Sequence, residues 1–559
     1  MISNPAIQLK GVSFTYRRNE DSSLSNVDLV VEPGSFVGIV GANGAGKSSL
    51  AFTFNRIIPS FHKGAFSGTV KILGADISTA RVSEMPAKVG MVFQDFEAQI
   101  FSTSVRREVA FIMENLGIPP VMMRQNASKW LMEMGLAGFE DRDPSSLSGG
   151  QKQRLALASV LAAGAPILVL DEPTTDLDPV SAAGLIRCLS ELSGHGRTLI
   201  LITHDAESLI GADQIHVVDH GNIAMSGSPQ HVLTSCNSLQ RRGVKPPQLA
   251  QVFYSLGVRE IPAGSQDAAR ALAKMGYSVK SGETQRTKIA THGKEILTIE
   301  GLRFGYLSGV EVLHGLDLSI NEGEFVAILG QNGSGKTTLV NHLAGVLKPW
   351  SGKVTVAGEP IRKAPPARRA SLVGLVFQNP DHQIFCASCL EEVVFGLRNI
   401  GVPGQEIERK CLASLELVGL AGKENTDPFT MTKGERKKLA VASMLACEPR
   451  ILVLDEPTTG LDAREQESMM DMVSSLVERG HTVLFITHSM DLAARYANRI
   501  IVMSKGRILL DDDVNRAFFN DEALAKADLA APPIVQLGRL MGVFVRSPEE
   551  FIHILERRG

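Results

Sequence analysis

Cysteine is scarce in this chain, and the few residues present form no pattern. Six of its 559 residues are Cys, at positions 188, 236, 386, 389, 411 and 447. Their spacing matches neither a disulfide framework nor a zinc ribbon. Cys386 and Cys389 make a lone C-x-x-C with no second pair and no nearby His. A disulfide-stapled secreted scaffold is thereby excluded, and free thiols in a reducing compartment are expected. An excess of one charge is also missing. The net charge is −3, so nothing global suggests nucleic-acid binding. No run approaches the ~18 apolar residues that a membrane-spanning helix needs. The start, Met-Ile-Ser-Asn-Pro, lacks the basic and apolar regions of a signal peptide. A soluble cytosolic protein is expected, whose membrane role, if any, comes through partners. Aromatics are 5% of the chain but apolar residues 44%, ample for buried cores. The length corresponds to roughly four folding units.

What is present is a repeat. Gly41-Ala-Asn-Gly-Ala-Gly-Lys47-Ser48 recurs as Gly330-Gln-Asn-Gly-Ser-Gly-Lys336-Thr337, 289 residues on. Val92-Phe93-Gln94 recurs as Val376-Phe377-Gln378, 284 on, and the same 284 relates Gly150 to Gly434, Asp171 to Asp455 and His204 to His488. A constant offset over so many residues means duplicated domains. The five-residue slip falls where the first copy carries a longer loop around Pro59 to Gly68. Each half opens with alternating strands (7–16 and 297–306), then an apolar strand, the Gly-rich loop, a helical insert (97–165 and 382–450) and further strand–helix units. That order predicts an α/β core with a helical subdomain. The expected divisions are 1–235 and 297–513 for the two main domains. Small extensions at 236–280 and 514–559 and a linker at 281–296 complete the chain. The extensions repeat as well, Pro246-Pro247 matching Pro532-Pro533. Each is read either as a passive appendage or as a contact holding the halves together.

The chemistry sits at residues that recur in register. In the Gly-rich loops the backbone can wrap phosphates, Lys47 and Lys336 reach β/γ oxygens, and Ser48 and Thr337 offer a hydroxyl to Mg²⁺. The candidate nucleotide contacts there are Gly41, Asn43, Gly44, Gly46, Lys47, Ser48 and Ser49, with Gly330, Asn332, Gly333, Gly335, Lys336, Thr337 and Thr338 in the second copy. Asp171 and Asp455 end buried strands and suit Mg²⁺. The adjacent Glu172 and Glu456 suit orientation or deprotonation of a water. Gln94 and Gln378 follow strands from which they could reach the metal or the water, and His204 and His488 could contact a γ-phosphate. Tyr16 and Tyr306 can stack on an adenine or serve as core aromatics. Ser148, Gly149, Gly150 and Gln151 open a helix, where backbone N–H groups can meet an anion. Thr432, Lys433, Gly434 and Glu435 are their counterparts.

Taken together, this order of motifs, spanning nearly the whole chain, resembles the ABC-type ATPases. The resemblance implies tandem P-loop ATPase domains, each with a RecA-like core, an antiparallel β subdomain and a helical subdomain. It implies ATP and Mg²⁺ as ligands. It also implies head-to-tail pairing, the signature of each half completing the nucleotide site of the other, with turns at Asp178 and Asp462. The segments after Gln94 and Gln378, Asp-Phe-Glu-Ala-Gln-Ile-Phe101 and Asn-Pro-Asp-His-Gln-Ile-Phe385, followed by Arg107-Glu-Val-Ala-Phe111 and Leu390-Glu-Glu-Val-Val-Phe-Gly396, are similar to the ATPases of energy-coupling factor (ECF) importers. Those take up vitamins or transition-metal ions with a transmembrane coupling subunit and a substrate-binding membrane subunit. By that resemblance the chain would lie on the inner face of the membrane. Asp95, Glu97 and Asp381, beside Ile100, Phe101, Ile384 and Phe385, would meet an amphipathic helix with a basic end; the alternative is local packing within the helical subdomain.

Two other functions fit less of the sequence. A fused sugar-importer ATPase often has one degraded P-loop, whereas both are intact here. A ribosome-associated ABC-F ATPase needs a long basic helical linker, and residues 230–296 contain prolines, glycines and scattered Lys/Arg. The signatures are not identical: Lys433 replaces the first glycine, adding a Cβ and a charge near phosphate. An altered but working site is expected.

Overall fold

The computed structural model describes residues 4–17, 21–174, 177, 179–194, 196–280, 293–306 and 309–557. Asp178 and most of the expected linker, 281–292, lie outside them. Two compact units emerge: Met1–Leu177 with Ser181–Ile261, and a second made chiefly of Pro262–Gly559. The expected first extension, 236–280, is divided by that boundary.

In the first unit, β1 (Ile7–Tyr16), β2 (Leu24–Val31), β4 (Gly64–Ile72) and β5 (Ala75–Asp76) form an antiparallel sheet in the order β2-β1-β4-β5. A six-stranded sheet has the order β10-β9-β3-β8-β7-β6. It is built from β3 (Phe36–Val40), β6 (Val89–Val92), β7 (Ile167–Asp171), β8 (Thr198–Thr203), β9 (Gln214–Asp219) and β10 (Asn222–Gly227). All its pairings are parallel except that of the edge strand β10. Strands β3, β7 and β8 are buried at every position, which is why they read as unbroken apolar runs. Alternation still decides which layer each residue joins. Phe36 and Val40 pack into the core of the helical insert, while Val37 and Ile39 pack with β1, β2 and α1 (Lys47–Phe54). The insert contributes α2 (Val105–Asn115), α3 (Pro120–Glu133) and α4 (Gly149–Ala162), followed by α5 (Pro179–Gly194) after β7 and α6 (Gln248–Ser255).

The second unit repeats the plan. It begins with α7 (Ser265–Lys274) and β11 (Tyr277–Val279), and then β12 (Glu295–Phe304) and β13 (Leu313–Asn321) pair with β15 (Ser351–Val356) and β16 (Glu359–Pro360). The large sheet, order β17-β18-β19-β14-β20-β21, comprises β14 (Phe325–Leu329), β17 (Val373–Val376), β18 (Ile451–Asp455), β19 (Thr482–Ile486), β20 (Arg499–Ser504) and β21 (Arg507–Asp513). Its helices include α8 (Lys336–Leu343), α9 (Cys389–Asn399), α10 (Gly404–Leu417), α11 (Lys433–Leu445) and α12 (Ala463–Glu478). The chain closes with α13 (Pro533–Leu540), α14 (Pro548–Ile554) and β22 (Leu555–Arg557).

One expectation changes. The longer loop of the first copy is partly strand: Gly64 to Ser67 extend β4 and pair with β1 as far as Tyr16, where β15 starts only at Ser351. The extensions, read from the sequence either as appendages or as a contact, touch one another. Strand β11, encoded in the first repeat, pairs antiparallel with β22 of the second, and the Ser265 hydroxyl donates to the Pro533 carbonyl at 2.9 Å. All six cysteines are free. Burial pushes the Cys236, Cys386 and Cys411 thiols up to about 11, so they are protonated and weakly reactive. Among the described residues no helix is long and apolar enough to cross a membrane.

Candidate active site

Each site is built where the large sheet ends. After β3 the chain turns through Gly41 to Gly46 into α1. Gly41 passes so close to β9 that a Cβ there would lie 2.3 Å from the Val218 carbonyl, and Gly46 has φ 104. Only glycine meets both demands cheaply. Gly330 and Gly335 repeat them after β14, with 2.3 Å to the Met503 carbonyl and φ 101. This turn folds Lys47 back over its own loop, where Nζ donates to the Gly41 and Ala42 carbonyls at 2.8 and 2.9 Å. Lys336 does the same to Gly330 and Gln331, at 2.7 and 2.8 Å. A buried lysine thus sits in a Gly-rich loop at a helix start, where backbone N–H groups left without helical partners suit a polyphosphate. Asn43 and Asn332 are exposed on its rim.

Beside the loop, β7 ends in Asp171 and β18 in Asp455. The Ser48 hydroxyl lies beside Asp171, and that of Thr337 beside Asp455, where each favours the ionised carboxylate. Burial pushes Asp171 and Asp455 up to about 6, each helped by the neighbouring glutamate, Glu172 or Glu456. Asp171 Oδ1 is buried and has no hydrogen-bond partner among the described residues. A buried carboxylate with an unsatisfied oxygen, next to a hydroxyl and a phosphate cradle, fits a hard divalent cation. No group of three His, Cys, Asp or Glu side chains that could by itself hold a metal ion occurs among the described residues. A cation here would take ligands from phosphate and water as well as from Ser48 and Asp171, or Thr337 and Asp455.

One residue on, Glu172 and Glu456 have φ 52 and 50. This left-handed turn is costly for a residue with a Cβ, and it directs each carboxylate toward the end of the next strand. There His204 Nδ1 lies 2.7 Å from Glu172 Oε2, and His488 Nδ1 lies 2.9 Å from Glu456 Oε1. Burial pulls the His204 imidazole down, but the charge and hydrogen bond of Glu172, with the Asp205 charge, together outweigh it and the net shift is upward. Burial raises Glu456, and the His488 contact, with Lys336 and Thr459, together more than reverses this. The pair can hold an ionised carboxylate beside a proton-bearing ring, which suits orientation of an attacking water.

The remaining expected residues lie around this centre. Gln94 and Gln378 are exposed, two residues beyond β6 and β17. The Tyr16 hydroxyl bonds Ser49 at 3.0 Å and that of Tyr306 bonds Thr338 at 3.2 Å. Tyr306 remains 60% exposed, free to offer a face to a base. Ser148 caps α4 by accepting from Gln151 N–H, while the Gln151 side chain accepts from Ser148 N–H. Thr432 and Glu435 build the same capping box on α11. Among the described residues an added Cβ at Gly149 would meet nothing within 4 Å. In the second half Lys433 fills this position, and its Nζ lies where a Cβ on Gly460 would be 2.4 Å away.

Sequence reasoning missed Gln99, Gln383, Glu108 and Glu392. Gln99 Oε1 accepts from Phe93 N–H at 3.3 Å and its amide donates to the Met91 carbonyl at 3.2 Å. Gln383 accepts from Phe377 N–H at 3.2 Å. Glu108 and Glu392 are buried, each accepting two loop N–H groups: Phe101 and Ser102 at 3.2 and 2.8 Å, Phe385 and Cys386 at 3.0 and 2.9 Å. The signal was the repeated Gln-Ile-Phe and Glu-Val. These bonds present Phe101 against Phe111, and Phe385 against Phe395, as exposed edge-on pairs. One expectation is corrected. Ile384 is 2% exposed and Ile100 is half-buried against the insert core, because the short 3₁₀ turn before each rotates the aliphatic side chain inward. Asp381 pairs with Arg436 at 2.9 Å.

The family model for the ABC transporter matches residues 24–175 and 313–459. The chain belongs to the ABC transporter family. A Caldanaerobacter subterraneus protein is 39% identical over the full length of both chains. A Methanosarcina acetivorans protein is 38% identical over 95% of this chain and 89% of its own. Both carry the name "Putative ABC transporter ATP-binding protein". This ABC ATPase is therefore a tandem, ATP-binding chain with two copies of the nucleotide machinery.

Proposed function

We propose that the chain is the ATP-hydrolysing subunit of an ECF-type importer for a vitamin, a vitamin precursor or a transition-metal ion. It would act on the inner face of the membrane with a transmembrane coupling subunit and a substrate-binding membrane subunit. In this reading Lys47 and Lys336 hold the β/γ-phosphates, Asp171 and Asp455 share Mg²⁺ with Ser48 and Thr337, and Glu172 and Glu456 orient the water with His204 and His488. Gln94 and Gln378 sense the metal from their loops. Mg²⁺ would supply charge neutralisation on the phosphates.

The observation that carries the importer reading is the repeated, buttressed loop after each Gln. A buried glutamate fixes two amides so that an aromatic pair stands exposed beside acidic residues, in both halves. That combination favours an amphipathic, basic helix. In the first half an apolar cleft of about 230 Å³ adjoins it, lined among others by Ile57, Met85, Phe93 and Ile112. The test is co-purification from detergent-solubilised membranes. The unaltered chain should bring down a polytopic partner, and Phe101→Asp with Phe385→Asp should lose it. Recovery with ribosomes, or retention of the partner by the double variant, would contradict the reading.

A further inference from the structure

Four positions around the second active-site turn differ in charge from the first half. Gly149, Gln151, Gln153 and Asp176 stand where the second repeat has Lys433, Glu435, Lys437 and Gly460. Of the four newcomers, Lys437 is the buried base, 2% exposed on the inner side of α11. Its Nζ donates to the backbone carbonyl of Glu456 at 2.9 Å.

That carbonyl belongs to a demanding peptide. Glu456 has φ 50, its N–H donates to the Ile486 carbonyl at 3.1 Å, and its carboxylate holds His488 while accepting from the Thr459 hydroxyl at 3.2 Å. A left-handed non-glycine residue persists only where its surroundings over-determine it. Bonds on N–H, carbonyl and carboxylate together do so. The first half braces the same turn from the same helix position by another route. There the Gln153 amide donates to the Pro173 carbonyl, one residue further along.

Burying a lysine is expensive, and the cost shows here. Burial, with Lys433 nearby, pulls Lys437 down to about 7. An apolar residue would serve packing better, so the retained amine points to what it bonds. Protonated or neutral, it keeps an N–H to donate. We propose that Lys437 is a positioning residue of the second hydrolytic site, holding the Glu456 carbonyl so that the carboxylate stays aimed beside His488. This rests on the reading of Glu456 as the water-orienting base.

Steady-state ATP hydrolysis by the full chain tests it, comparing Lys437→Met, Lys437→Arg, Lys437→Gln and Glu456→Gln for kcat, KM and Tm. Lys437→Met should remove at least half of the kcat that Glu456→Gln removes, with KM for ATP changed by less than about twofold. Its Tm should hold or rise, since a buried amine is traded for an apolar chain of similar length. Lys437→Arg and Lys437→Gln, which restore a donor, should recover most of the loss. Normal kcat in Lys437→Met beside an impaired Glu456→Gln overturns the proposal. So does failure of both donor variants, or a Tm loss that tracks the kcat loss across the set. If Glu456→Gln itself hydrolyses normally, the reading of Glu456 fails first and takes Lys437 with it.

Discussion

At the scale of single residues, the two halves differ in ways that solution measurements can separate. His216 on β9 faces Ile39 of the P-loop strand in register, where the second half pairs Ile501 with Ile328. Burial pulls the His216 imidazole down to about 4, with Ser226 at 2.8 Å on Nδ1. Unfolded, the ring takes its proton near 6.5; folded, it resists until about 4. The stability that the neutral ring contributes is thus complete above pH 6.5 and is lost as pH falls toward 4. The loss is about 3 kcal/mol by linkage. His216→Ile, copying the second half, should flatten the acid slope of urea-unfolding stability in that window. An unchanged slope would show that His216 does not titrate on unfolding.

At the scale of elements, Glu108 and Glu392 carry the presented loops. Removing either carboxylate strands two amides, at about 1–3 kcal/mol for each group left unpaired. Glu108→Ala should therefore speed hydrogen exchange at Phe101 and Ser102 far more than at the buried amides of β7, and Glu392→Ala should do so at Phe385 and Cys386. Equal exchange in variant and parent would mean the loop holds itself. These elements also mark how far sequence could be read. Strands β3, β7 and β8 and the helix starts at Ser148 and Thr432 were legible, because burial on both faces and capping chemistry leave local signatures. The inward turn of Ile384, the strand extension at Gly64 and the staples made by Gln99 and Gln383 were not. The strand extension depends on pairing with Tyr16, far back in the chain, whereas the Ile384 turn and the Gln staples follow from local turn geometry that leaves no periodic pattern.

At the scale of the whole molecule, the repeat was legible from its near-constant offset, and the contact between the extensions only as one of two readings. The pairing of β11 with β22 makes the tail of the first repeat part of the second unit's stability. Leu272 and Phe551 are both fully buried, and so nearly is Trp130 in the first unit. Leu272→Ala and Phe551→Ala should lower the same calorimetric transition, by about 2–5 kcal/mol each, and Trp130→Ala a different one. If Leu272→Ala instead shifts the transition that Trp130→Ala shifts, the tail belongs to the first unit. By the proposed function, both halves of this ABC ATPase hydrolyse ATP through a glutamate–histidine pair, despite Lys433 in place of the first glycine at the start of α11. The most direct measurement is ATP turnover and ATP binding for Glu172→Gln and Glu456→Gln side by side. Each substitution should lower turnover while binding is retained. Undiminished turnover in Glu172→Gln would show that the Lys47 site binds nucleotide without hydrolysing it, and would contradict the account.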